Sequence, residues 1–388
     1  MDISKLKVLV IGGGIGGLAS ACALAQRGAD VTVMEQAPAI NEVGAGIQIS
    51  PNGLAVLRAL GLDAALAACA VQGQAVSLRD YRGPEVLRLD LGRLSRRDYY
   101  FVHRADLITL LADAARAAGV TIRLLQQVRD VVPGDVPQVI LQTGEVCTAD
   151  LVIGADGLHS VLRPVLNGEA RPFFTGQVAW RAVVPNTERR GPQVHVHMGP
   201  GRHVVSYPLR DGAQMNLVAV REQREWVAES WTQGDDPDNL RAAFADFGPD
   251  VRALLAEVDS VRQWGLFRHP VAARWQGGNC ALLGDAAHPT LPFLAQGACM
   301  ALEDAWGLLR GLDGAADLPS GLTAYQDLRA ARATRVIAAA NGNAWKYHLS
   351  FPPLRGAAHL ALRLGGALAP GRMVRQFDWL YEYDITDA

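Results

Sequence analysis

The stretch VLVIGGGIGGLASACALAQRG, residues 8–28, decides the fold. Eighteen consecutive residues in it, Val8 to Ala25, carry no charge, and Lys5 and Lys7 precede them. A secretory signal, a membrane span and the first turn of a nucleotide-binding domain can all begin this way. A span needs about 20 apolar residues, and a signal needs a compact apolar core with a cleavage site. Five glycines fall between Gly12 and Gly17, a poor nucleus for a helix. The stretch divides better into a strand (Val8 to Ile11), a glycine turn, and a helix from about Gly17 to Arg27 that Gly28 terminates. A second strand at Val31 to Met34 closes a βαβ unit.

Within that unit Gly12, Gly14 and Gly17 form G-x-G-x-x-G. The spacing serves a tight turn, close approach of a pyrophosphate, and close packing of helix on strand. The helix N-terminus offers free N–H groups to phosphates. Glu35 ends the second strand, where a carboxylate accepts hydrogen bonds from ribose hydroxyls. No second G-x-G-x-x-G occurs, so a second dinucleotide would have no Rossmann site of its own.

The 388 residues suffice for one large domain or two ordinary ones, and 49% are hydrophobic. The net charge of −2 and scattered cations argue against nucleic acid; Arg96-Arg97 and Arg189-Arg190 read as solvated turns. The five cysteines are odd in number and form no C-x-x-C pair. That argues against a disulfide framework or a zinc site and fits a reducing, cytoplasmic location.

Further along, residues 103–119 read as a helix, 139–141 and 145–148 as a hairpin, and LVIGADG (151–157) as a buried strand entering a turn. After about residue 170 the texture changes to short alternating strands: QVAWRAVVP, QVHVHM, HVVSYPL and QMNLVAV. CALLGDAAHP (280–289) returns to strand-then-turn chemistry, followed by helices at 297–312 and 320–345.

Three pieces distant in sequence now combine: the glycine turn with Glu35, GADGLHSVLR at 154–163, and LLGDAAHPTLPFLAQGACMALEDA at 282–305. Together they resemble the single-component flavoprotein aromatic hydroxylases, the class A FAD monooxygenases. The texture is nearest to the salicylate hydroxylase, 3-hydroxybenzoate 6-hydroxylase and 6-hydroxynicotinate 3-monooxygenase subgroup. The resemblance implies an α/β fold in which a Rossmann-like FAD-binding domain is interwoven with a β-sheet substrate domain and followed by C-terminal helices. The FAD-binding parts would be residues 1–75, 101–170 and 276–345; the substrate parts 76–100 and 171–275; the helical tail 346–388.

It also implies residue roles. FAD would be held by Gly12, Gly14, Ile15, Gly16, Gly17, Glu35, Gly46, Arg104, Asp156, Gly284, Asp285, Gly297 and Ala298. Arg104 would face the pyrophosphate and Asp285 the ribityl or ribose hydroxyls. The helix beginning near Gly297 would aim its N–H groups at the flavin N1–C2=O edge, where reduced flavin is negative. The implied chemistry is reduction of FAD by NADH or NADPH, a transient co-substrate, then O₂ addition as a C4a-hydroperoxide and oxygen transfer to an electron-rich ring.

That chemistry wants a group that deprotonates the substrate hydroxyl. His203 and Tyr207 lie four apart on one presumed strand, hence on one face, and match pocket positions of the subgroup. His203 reads equally as an edge-strand surface histidine. Gln48, Pro292 and Phe293 are lining candidates, Phe293 without capacity to accept a proton. Arg181 would meet a substrate carboxylate or, as the blander expectation, sit as a sheet-surface charge. His195 and His197 share a strand face that reads as solvated rather than as a metal site, and His288 as packing under the flavin loop. No metal is expected. No G-x-S-x-G elbow and no halogenase G-W-x-W-x-I-P occur.

The reading is therefore a monooxygenase of a small, carboxylated phenol or hydroxypyridine, monomeric or homodimeric, without nucleic-acid or stable membrane contact. A hydroxylase of lipid-tailed or polyketide aromatics, or a non-catalytic FAD-binding redox protein, are the alternatives.

Overall fold

A computed structural model describes residues 1–40, 45–94, 96, 98–225 and 234–387, the side chain of residue 344 excepted. The opening stretch forms the strand Lys7–Ile11, the helix Ile15–Ala25 and the strand Asp30–Met34. The helix begins two residues earlier than the glycines suggest. Gly16 is tolerated in its first turn because a Cβ there would lie 2.6 Å from Leu283 Cδ1, so close packing replaces a side chain. Gly17 is tighter still: its Cβ would meet the Gly12 carbonyl oxygen at 2.0 Å.

The two strands join a six-stranded sheet in the order 276–277, 280–282, 151–154, 7–11, 30–34, 121–123. All pairs are parallel except the edge hairpin of Gln276–Gly277 with Cys280–Leu282. Parallel strands covered on both faces read as continuous apolar runs, which Lys7–Ile11 and Leu151–Gly154 show. The glycine turn, the Ala155–Asp156 turn and the Gly284–Asp285 turn all leave the carboxyl ends of adjacent strands. Ligands of open α/β sheets bind there.

A second, eight-stranded sheet is mostly antiparallel. Its centre is built from Phe173–Pro185, Gln214–Glu222, Arg202–Leu209 and Gln193–Gly199, paired in that order. Alternation assigns its faces. One face carries Val178, Trp180, Val204, Leu217 and Ala219 and is covered by the helices Pro237–Ala243 and Pro249–Ala256. The other carries Ala179, Arg181, His203, Val205, Tyr207, Val218 and Val220 and packs on Leu291 and Phe293.

Three surface expectations are corrected here. Strand Arg202–Leu209 is interior to the sheet, so His203 is no edge histidine; it is 2% exposed. His195 and His197 do share a face, but it is the helix-covered one, and His197 is 1% exposed. Arg190 is largely covered, paired with Glu188 at 2.7 Å and bonded to the Asp250 carbonyl, while Arg189 is exposed. Arg96 pairs with Asp384 and Asp387; Arg97 lies outside the described residues. Among the described residues, no helix is long and apolar enough to cross a membrane.

The helices Gly297–Leu312 and Leu318–Tyr347 close the first sheet, and Pro352–Leu368 begins the tail. An Asp317 capping box starts the longer helix: its carboxylate accepts from the Ser320 N–H and the Ser320 hydroxyl caps in return.

Candidate active site

The three turns converge. A Cβ on Gly12, whose φ is +103°, would lie 2.5 Å from the Ala155 carbonyl oxygen, so the first two turns touch. Leu283, one residue before the Gly284–Asp285 turn, packs on Gly16. Arg163 ties the second turn to the third by donating to the carbonyls of Ala286 and Ala287 at 2.8 and 3.1 Å. The role of Arg163 is invisible in sequence, because its partners are main-chain atoms 123 and 124 residues away.

The residues fit a dinucleotide. A Cβ on Gly14 would meet nothing within 4 Å, so the turn faces open space, and the helix behind it has no side-chain cap. Its first N–H groups are left for a phosphate. Glu35 is fixed by accepting from the N–H groups of Gly13 (2.7 Å) and Ala37 (2.8 Å), and each oxygen keeps a further lone pair. Asp156 accepts from the Val161 N–H at 2.7 Å, whereas its buried Oδ1 has no hydrogen-bond partner among the described residues. Burial raises the Asp156 carboxyl. Asp285 is solvent-accessible yet deep among protein atoms, as a group lining an internal cleft should be, and burial raises its carboxyl too. Burial and the nearby Arg181 bring the Arg104 guanidinium down to about 10, against the pull of Asp285, so it stays charged.

Behind this cleft stands an ion network that the sequence did not disclose. Arg329 is 0% exposed and pairs with Glu303 (2.6 Å) and Asp304 (2.9 Å). Asp304 also bonds His288 and accepts from the Gly284 N–H at 2.9 Å, fixing the third turn. Burial alone would raise the Asp304 carboxyl; His288 and Arg329 outweigh it and hold it at about 2. Glu303 accepts from Asn52 (2.6 Å), which also donates to Gln296 (3.0 Å), and Gln296 donates to Ser50 (2.8 Å). Gln296 is the residue before the helix Gly297–Leu312 and leaves its N–H groups uncapped. Ala295 just ahead adopts left-handed backbone (φ +53°), a costly conformation for a non-glycine residue that turns the chain into the helix. Two adjacent acids in an apolar helix were the available signal for the buried cation.

On the facing sheet, His203 packs against Phe293 and Tyr347, with ring centroids 5.5 and 5.4 Å apart. Tyr207 packs on Phe101 at 5.3 Å, and its strand pairs with that of Asn216, directly opposite it. Gln48 accepts from the Tyr99 hydroxyl at 2.8 Å. Gly46 donates its N–H to Asn216 at 2.6 Å and lies where a Cβ would strike Tyr207, so it joins the two halves. Arg181 is corrected from a sheet-surface charge: it lies inward, 5.1 Å above the Trp264 ring, with its buried Nε unpartnered among the described residues. Burial lowers its guanidinium. Pro292 is half-buried beside Phe293. His288 is buried against Trp275.

Residues 5–340 match the family model described as FAD binding domain. The chain is 38% identical to a 3-amino-4-hydroxybenzoate 2-monooxygenase of Streptomyces cremeus, over 90% of this chain and 89% of the relative. It is 34% identical to a 3-hydroxybenzoate 6-hydroxylase of Polaromonas naphthalenivorans, over 98% and 97%. Klebsiella pneumoniae HpxO, solved with FAD and uric acid, superposes with a TM-score of 0.85 at 28% identity, over 95% of this chain and 96% of that one. The chain thus belongs to the FAD-binding family of flavin-dependent aromatic monooxygenases.

Proposed function

We propose that the protein inserts one oxygen atom into a small aromatic ring bearing a hydroxyl and a carboxylate. The overall reaction is ring–H + O₂ + NAD(P)H + H⁺ → ring–OH + H₂O + NAD(P)⁺. The observation that carries this reading is the inward sheet face, where Arg181 and the His203–Tyr207 pair stand on strands two apart. Two strand spacings are roughly 10 Å, and long side chains leaning over that face narrow it to the length of one ring. A guanidinium suits a carboxylate, and an imidazole suits a phenolic hydroxyl. The names of the relatives support it: aminohydroxybenzoate, hydroxybenzoate and hydroxynicotinate each combine these groups.

Bound FAD supplies hydride acceptance and O₂ activation. The chain does the rest. Gly12, Gly14 and Glu35 bind the adenosine end, and Ile15, Gly16 and Gly17 build the helix start behind them. Arg104, Asp156, Gly284 and Asp285 hold the middle, and Gly297 and Ala298 present N–H groups to the ring edge. Gln48, Pro292 and Phe293 shape an apolar, water-poor pocket, and His203 takes the hydroxyl proton. Deprotonation raises electron density on the ring at the carbons ortho and para to the oxygen. The five thiols are free, which fits a cytoplasmic enzyme, and we take it to be a monomer or homodimer.

The test is a panel of 3-amino-4-hydroxybenzoate, 3-hydroxybenzoate, 6-hydroxynicotinate and salicylate, with phenol and 2-aminophenol as uncarboxylated counterparts, on FAD-loaded protein. At least one should stimulate NAD(P)H consumption and yield a product heavier by one oxygen. Oxidation without product across the panel, or preference for uncarboxylated phenols, would sink the proposal.

A further inference from the structure

We propose that His203, His348 and Glu222 form a relay carrying the substrate's hydroxyl proton from the buried pocket to solvent. The inference rests on the reading above that the pocket takes an aromatic hydroxyl. His203 Nδ1 lies 2.7 Å from His348 Nε2, and His348 Nδ1 lies 3.0 Å from Glu222 Oε1. The two rings are 2% and 4% exposed, whereas the Glu222 side chain is 55% exposed. The chain therefore runs from inside to outside in two hydrogen bonds.

Its polarity follows from donor chemistry. A carboxylate only accepts, so His348 must place its proton on Nδ1. Neutral His348 then has a bare Nε2, which accepts from His203 Nδ1–H. His203 is left with its lone pair on Nε2, the form a general base needs. The tautomers are thus set by the network, from the surface inward.

The surroundings keep the relay intact. The Gly201 N–H donates to the His348 carbonyl at 3.1 Å, and the Glu222 N–H donates to the Gly201 carbonyl at 2.8 Å, pinning the end of helix Leu318–Tyr347 to the sheet. The ladder partners of His203 are Met198 and Val220, which do not titrate. Tyr347, against the His203 ring, has its phenol pushed up to about 12 by burial and stays protonated. The cations beside Glu222 are engaged elsewhere: Arg202 with Asp246 at 2.8 Å, Arg221 with Gln223 at 2.7 Å and over the Trp180 ring. Burial first, then His348, holds His203 well below the ordinary histidine range, and burial also lowers His348 against the pull of Glu222. A proton retained on either ring would be a charge in a dry pocket, so it has to be passed on.

The transfers balance. The substrate O–H bond breaks and its proton goes to His203 Nε2. The Nδ1 proton of His203 moves to His348 Nε2, and the Nδ1 proton of His348 moves to Glu222, which exchanges with water. The same steps in reverse protonate the product oxygen and reset both tautomers.

Glu222→Gln tests this on the FAD-loaded protein, at an exposed position that folding tolerates. An amide donates as readily as it accepts, so the inward tautomer preference should be lost. Spectra of ¹⁵N-histidine-labelled protein should show His203 protonated at Nδ1 in the wild type and as a mixture in Glu222→Gln. With 4-hydroxy-3-nitrobenzoate as probe, coloured only as phenolate, the pH midpoint of bound phenolate formation should rise by about one unit, a tenfold change. Glu222→Asp should fall between, with FAD content equal in all three. An unchanged tautomer and midpoint in Glu222→Gln, or His203 protonated at Nε2 in the wild type, overturns the relay alone. A wild type that never takes up the probe or the panel compounds overturns the substrate reading, and the labelled-histidine result stands apart from it.

Discussion

The two sheets differ in how far buried charge is matched by opposite charge. Beside the six-stranded sheet, Arg329, Glu303, Asp304 and His288 pair their charges with one another in a network almost without exposure, although Arg329 Nη2 and His288 Nδ1 keep no partner among the described residues. On the eight-stranded sheet, the Nε of Arg181, both ring nitrogens of His197, the Ser206 hydroxyl and the Asn216 amide nitrogen are buried without partners among the described residues. The first arrangement matches its charges within the protein and holds the Gly284 turn in a fixed frame. The second leaves polar atoms unmet on both faces, Arg181 and Asn216 on the inward one and His197 and Ser206 under the covering helices. Preorganisation on one side and unmet demand on the other suit a cofactor that stays and a substrate that comes and goes.

Arg329→Met breaks the comparison most directly. It leaves Glu303 and Asp304 buried with one cation fewer, at a cost of roughly 3–5 kcal/mol. Asp304 should then loosen its hold on the Gly284 N–H and the FAD turn with it. Urea unfolding with and without added FAD should show the loss in stability and a weaker protective effect of FAD. A loss below about 1 kcal/mol would mean that the network is ornamental to the frame.

The same contrast explains what could be read from sequence. Gly12, Gly14, Gly17 and Glu35 lie within one local unit whose spacing states its own purpose, and the structure places them around one turn. The Asp156 and Asp285 turns follow apolar strands and were equally legible. Arg329 meets its acids from another helix, 25 residues on, and no local pattern predicts that meeting. The inward face was legible only strand by strand. Parity puts His203 with Tyr207, but placing Arg181 beside them requires the register of three strands, Arg181 opposite Val218 and Val218 opposite Val205. Without it, a charged residue in an alternating strand reads as solvated. His348 and Glu222 are 126 residues apart, and each is unremarkable where it stands.

Acid should separate the two regions. Burial, with Arg79 and Arg190 nearby, pushes the His195 imidazole down to about 4; burial, with His195, pushes His197 to about 3. Both fall below the ordinary value near 6.5, so their neutral forms stabilise the fold fully above that pH. That contribution is lost as pH falls from about 6.5 toward 4 and 3. Asp304, held at about 2, gives stability that is complete above about 4 and lost only between there and 2. The eight-stranded sheet should therefore loosen first, reported by Trp180 fluorescence, and FAD should leave later. His197→Leu removes the larger histidine term, about 2 kcal/mol between pH 7 and pH 5, and should flatten the first transition. Simultaneous loss of both signals, unchanged by the variant, would show that the sheets unfold as one unit in acid.

Tyr207→Phe gives the smallest expected effect and the sharpest test of unmet demand. The ring keeps its contact with Phe101, and Gln48 keeps its bond from Tyr99, so stability should fall by only about 1 kcal/mol. What is lost is the hydroxyl on the inward face, opposite Asn216 in the ladder. If that hydroxyl helps seat the substrate oxygen, oxygen transfer should suffer more than flavin reduction. A several-fold larger share of NAD(P)H oxidation should then end in peroxide rather than product. The ratio of product to NAD(P)H consumed, at saturating substrate, reads this directly. An unchanged ratio with a lowered melting temperature would make Tyr207 a packing residue, and the substrate face would then rest on Arg181 and His203 alone.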